Sequence, residues 1–190
     1  MKQSIFIKHA LPFIQWYALM IFITIVIDYL LHKFQLVLNG SYLGFGGTFF
    51  IMVSFLYSLR KRKIIKSGSP KRLLMFHEYL AWIGSIMLLV HAGIHFNSLI
   101  PWLAILMLLI TVASGLVAKF LLKKSNENLK QKRQFMIAEG IDKEDVDRKL
   151  FLDSITVDWM KKWRLFHMPI TLLLVIFSLI HIITIIIFIV

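Results

Sequence analysis

Residues 172–190 read LLLVIFSLIHIITIIIFIV, with no charged side chain anywhere in the run. Such a run is poorly soluble in water but well suited to lipid. A helix needs about 20 apolar residues to cross the hydrocarbon core of a bilayer. Five segments of the chain qualify: 12–31, 42–59, 73–96, 99–122 and 164–190. The second is diluted by Gly44, Gly46, Gly47 and Ser54. None alternates with period two, which excludes the strands of a membrane barrel. The 58% hydrophobic content of the 190 residues agrees, since soluble domains sit at roughly 45–50%. The expected fold is all-α and integral to the cell membrane: one multi-pass domain, residues 1–190, with five transmembrane helices.

Basic residues set the expected orientation. Arg60, Lys61, Arg62, Lys63, Lys66, Lys71 and Arg72 fall between the second and third segments with no acidic residue among them. Lys123, Lys124, Lys130, Lys132, Arg133, Lys143, Arg148, Lys149, Lys161 and Lys162 fall between the fourth and fifth. The other two connections carry only Lys33. Positive loops stay in the cytoplasm, so the amino terminus is expected there and Val190 on the far side. The net charge of +12 is thus read as orientation in a bilayer, with no nucleic-acid partner. The first segment is longer than a signal-peptide core and no small-residue cleavage pattern follows it, so it is read as a retained helix.

Residues 123–162 form the one long polar stretch, expected to be a cytoplasmic amphipathic loop. Within it Phe135, Met136, Ile137, Ile141, Val146, Leu150, Phe151, Ile155 and Trp159 recur at loosely helical spacing. One or two amphipathic helices against the membrane face would explain them; a solvated linker and a docking platform for a soluble partner both fit.

Chemistry enters with the histidines. His77, His91 and His95 lie in the third segment, and His167 and His181 in the fifth. Ionisable groups at membrane depth are costly and mark function by default. His77 and His91 are fourteen residues apart, as are His167 and His181. Fourteen helical residues rise about 21 Å and return to within roughly 40° of one face. The two helices run parallel, so His77 matches His167 in depth and His91 matches His181. Two transverse imidazole pairs in a dry bundle form the geometry that clamps two b haems, each iron taking one neutral imidazole on either side. Cysteine is absent, which excludes iron–sulfur clusters, thiolate metal sites and covalent haem attachment. Zinc would need a third or fourth ligand at the same depth. His95, one turn beyond His91, could replace it as ligand or stand near the outer haem edge.

Small and basic residues fit the same picture. Gly44, Gly47, Gly84, Gly93 and Gly115 would let porphyrin approach backbone, or simply let helices pack. Lys71, Arg72 and Arg164 stand beside the inner pair and could neutralise propionates, or serve only as positive-inside anchors. Asp28 and His32, four apart near the outer end of the first segment, could relay protons there or be wetted interface residues.

The third segment, Phe76-His77-Glu78-Tyr79-Leu80-Ala81-Trp82 followed by His91, His95, Phe96 and Asn97, resembles the ferric-reductase-like transmembrane domain. NADPH oxidases, ferric reductases and the haem partner of a periplasmic methionine sulfoxide reductase share that domain. The resemblance implies two stacked b haems, the inner on His77 and His167 and the outer on His91 and His181, with His95 facing an outer acceptor pocket. The equal spacings also resemble the four-helix core of quinol-oxidising b cytochromes.

The expected function is therefore that of a membrane cytochrome with a four-helix di-haem core and one extra helix, the electron-transfer subunit of an oxidoreductase. No flavin or nucleotide motif is present, so donor and acceptor are expected on other molecules. The donor would be a quinol or a cytoplasmic flavin reductase, and the acceptor an extracytoplasmic redox protein, or quinone for inward flow. Two alternatives stand beside it: a ferric-reductase-like subunit reducing a metal, oxygen or a periplasmic reductase, and a non-redox scaffold or transporter subunit.

Overall fold

The computed structural model describes residues 5–36, 40–94 and 99–188. Every regular element among them is helical: α1 (Ile5–Lys33), α2 (Gly40–Ser54), α3 (Leu56–Lys61), α4 (Pro70–Ile94), α5 (Leu99–Leu116), α6 (Lys123–Ala138) and α7 (Lys143–Phe188). A π-helical turn, Val117–Leu122, joins α5 to α6. Five helical stretches are long and apolar enough to cross a membrane: Leu11–Lys33, Tyr42–Lys61, Pro70–Gly93, Leu99–Phe120 and a window within Lys143–Phe188. Helix is what lipid imposes, because every backbone N–H and C=O must find its partner inside the segment. Large apolar side chains such as Phe22, Phe45, Phe49, Leu172 and Ile186 face outward, the reverse of a globule in water.

The fifth apolar run does not begin its own helix. It continues α7, which starts at Lys143 and runs for 46 residues, about 69 Å at 1.5 Å per residue. Only some 30 Å of hydrocarbon needs crossing, so the acid-containing first half lies outside it. Glu144 and Asp145 in the first turn favour helix initiation by facing the positive end of the backbone dipole. Ahead of it α6 stops in a Schellman turn. Gly140 sits at φ 81°, its N–H bonds Ile137 O at 3.0 Å, and Ile141 N–H reaches Met136 O at 3.1 Å. Glycine adopts that left-handed geometry without a Cβ penalty.

The chain divides into two compact units, Met1–Tyr17 with Ala113–Ile170, and Ala18–Val112 with Thr171–Val190. In the first, Val157 of α7 is buried against Phe13 of α1, Val117 and Phe120 of the π turn, and Leu129 of α6. Ion pairs Lys132–Asp153 (2.6 Å) and Arg133–Asp147 join α6 to α7. Lys161 donates to Asp158 at 2.8 Å and holds that exposed carboxyl below its ordinary value.

The second unit is organised by α2 and α4. They pack antiparallel at their glycines: a Cβ on Gly47 would come 3.0 Å from Gly84 O, and one on Gly84 would come 3.0 Å from Gly47 O. Backbone meets backbone there, as small residues permit between membrane helices. Elsewhere in this unit, Ala104 and Leu108 of α5 and Leu174 of α7 form a buried cluster, flanked by Leu88 and Leu89 of α4.

Candidate functional site

The α2–α4 register positions two of the histidines. His91 Nδ1 lies 3.0 Å from Gly40 O, and His77 Nδ1 lies 3.0 Å from Ser54 O. In the pairs Gly40/His91, Gly47/Gly84 and Ser54/His77 the residue numbers add to 131, so one antiparallel register generates all three. The glycine contact stands midway, seven residues from each histidine and seven from each carbonyl. A carbonyl can only accept, so Nδ1 carries the hydrogen in both rings. In a neutral imidazole Nε2 is then the nitrogen with the lone pair. Metal-ligating histidines commonly have this second bond, which fixes tautomer and ring orientation.

Local features fit the rings to α2. Around His91, a Cβ on Gly44 would come 2.9 Å from Nε2 and 3.0 Å from Cδ2 and Cε1. Gly44 therefore makes room for the imidazole itself, while Gly47 faces Leu88 and the Gly84 carbonyl. Around His77, the helical path breaks for one residue at Phe55, between α2 and α3, next to the carbonyl that accepts from the ring. Tyr57 stacks on His77 with ring centres 5.6 Å apart.

His181 of α7 meets His91 within the same unit. Their ring centres are 6.5 Å apart and their planes inclined at 55°. A metal held between two imidazoles at about 2.0–2.1 Å, with about 1.1 Å from nitrogen to ring centre, sets the centres about 6.3 Å apart. The observed separation of the ring centres, 6.5 Å, is close to that value. Among the described residues no group of three or more His, Cys, Asp or Glu could hold a metal, so a bare ion would lack ligands. A porphyrin supplies four nitrogens of its own and asks the protein for two, the number present.

His167 belongs to the other unit. Its Nδ1 is 2.6 Å from Ser114 Oγ, and Ser114 is 1% exposed. Gly115 lies alongside, where a Cβ would stand 3.8 Å from His167 Cε1. Sequence reasoning passed over Ser114, and over Gly40 and Ser54, whose role is carried by backbone oxygens. The readable signal was a polar serine followed by glycine within a largely apolar span.

Lys71 and Arg72 are exposed in the first turn of α4. His95 and the side chain of Arg164 lie outside the described residues. His32 Nδ1 is 2.9 Å from Asp28 O and 3.6 Å from Asp28 Oδ1. Asp28 Oδ1 is buried and 3.3 Å from where a Cβ on Gly93 would stand.

No family model, curated protein or solved structure matches the chain.

Proposed function

We propose that this protein is a di-haem b-type cytochrome of the cell membrane that passes electrons across the bilayer. The observation that carries the reading is the His91–His181 pair, two imidazoles whose centres stand 6.5 Å apart with His91 oriented by the Gly40 carbonyl. The equal fourteen-residue spacings in the sequence suggest a second haem, with His77 and His167 as candidate ligands. The orienting bond of His77 to Ser54 O supports its half of that assignment. Bound haem iron would supply one-electron chemistry, and His91 and His181 would hold it, with His91 oriented by the Gly40 carbonyl.

The basic connections around residues 60–72 and 123–162 put the amino terminus and both loops in the cytoplasm. A quinol or a cytoplasmic flavin reductase is then the donor, and an extracytoplasmic redox protein the acceptor. The chain is one subunit of that oxidoreductase.

The test is haem content by pyridine haemochrome together with a dithionite-reduced spectrum. Two haems per chain and a b-type α-band are expected. His91→Ala and His181→Ala should each remove one haem, and combining them should remove no more, because they share a site. His91→Ala with His167→Ala should remove both. Colourless protein from haem-replete cells, or two haems retained in His91→Ala, overturns the proposal.

A further inference from the structure

His77, His91 and His167 each have a partner at Nδ1, and the partners differ in kind. His77 and His91 face backbone carbonyls, which are fixed in place and only accept. His167 faces a side-chain hydroxyl, Ser114 Oγ, at 2.6 Å. That hydroxyl is buried, so water does not compete for it. It stands in the last full turn before the π-helical segment Val117–Leu122, and π turns recur at functional sites.

We infer that Ser114 is a positioning residue that sets the orientation and electron-donating strength of His167 as an axial haem ligand. The inference rests on the haem reading above. When Nε2 binds iron, Nδ1 must carry the ring hydrogen, and Ser114 Oγ accepts it. An acceptor there increases the basicity of the imidazole and stabilises the ferric state. A hydroxyl is a weaker acceptor than a carbonyl, so the haem on His167 gains less of this effect from that side than one backed by a fixed carbonyl. Gly115, next along α5, leaves the ring edge uncrowded.

The experiment is a spectroelectrochemical titration of the purified full chain with its haems bound. Ser114→Ala removes one oxygen and almost no volume, so the fold should persist. Ser85→Ala is the matched control: Ser85 is 0% exposed, but its hydroxyl donates to its own helix at Ala81 O. In Ser114→Ala, one of the two midpoint potentials should rise and the other stay, with about tenfold weaker retention of that one haem. Ser114→Thr, which restores the hydroxyl, should return the potential toward the wild-type value. Ser85→Ala should leave both potentials in place. Two unchanged potentials in Ser114→Ala, or equal changes in the two alanine variants, overturn the inference while leaving the cytochrome reading standing. Haem-free wild-type protein overturns the reading beneath it.

Discussion

Gly44→Ala tests the site through geometry that no histidine substitution reaches. The new Cβ would stand 2.9–3.0 Å from three atoms of the His91 ring. Ordinary carbon contacts lie at about 3.5–4.0 Å, so the ring must retreat by about half an ångström or more. It has little freedom to do so, because Nδ1 is tied to Gly40 O at 3.0 Å and the His181 ring stands 6.5 Å away, centre to centre. Metal–ligand distances tolerate only about 0.2 Å. Overpacking of this kind costs about 1–3 kcal/mol, equivalent to about 5–150-fold in affinity. We expect haem titration of the Gly44→Ala apoprotein to show one of two sites weakened by that factor. Gly46→Ala is the control that separates this from general crowding of α2. Its Cβ would come still closer to a neighbour, 2.5 Å, but that neighbour is the Cε of Met87, the free end of a flexible side chain. If Gly46→Ala weakens haem binding as much as Gly44→Ala, or neither does, the seating of His91 on Gly44 is wrong.

Gly47→Ala and Gly84→Ala should behave differently from Gly44→Ala. Each sets a Cβ 3.0 Å from a carbonyl of the facing helix, which cannot rotate away, so α2 and α4 must part. Both histidine–carbonyl bonds share that register, and haem quantification should show both sites weakened together; loss confined to one site would contradict this. Gly140→Ala meets no neighbouring atom and suffers only from its φ of 81°, costing about 1 kcal/mol. Thermal unfolding should fall modestly while haem content stays at the wild-type level.

Much of the architecture was legible because lipid leaves few choices. A long apolar run has only the helix available to it in lipid, and five such runs give the five spanning stretches found. The start of α7 was not legible by hydropathy, since residues 143–163 are as polar as a loop. The signal was the lack of any Gly or Pro between Lys143 and Pro169, while Gly140 marks the preceding stop. Histidine spacing put His91 and His181 at one depth, and their ring centres stand 6.5 Å apart. It could not foretell Gly40 O or Ser54 O, since every residue has a carbonyl and none announces its use. Gly44 was read as room for a porphyrin or for helix packing, and the structure fills that room with the imidazole of His91. Composition cannot distinguish one planar group from another.

The central glycine contact has a mechanical consequence. Because Gly47 and Gly84 touch halfway between the two histidine anchors, they act as the fulcrum of a balance. A small tilt of one rod on the other stretches the tether at one end as it slackens the tether at its opposite. The two ends cannot both tighten by tilting, so a tilt that brings one imidazole nearer its carbonyl takes the other away, some 21 Å along α4.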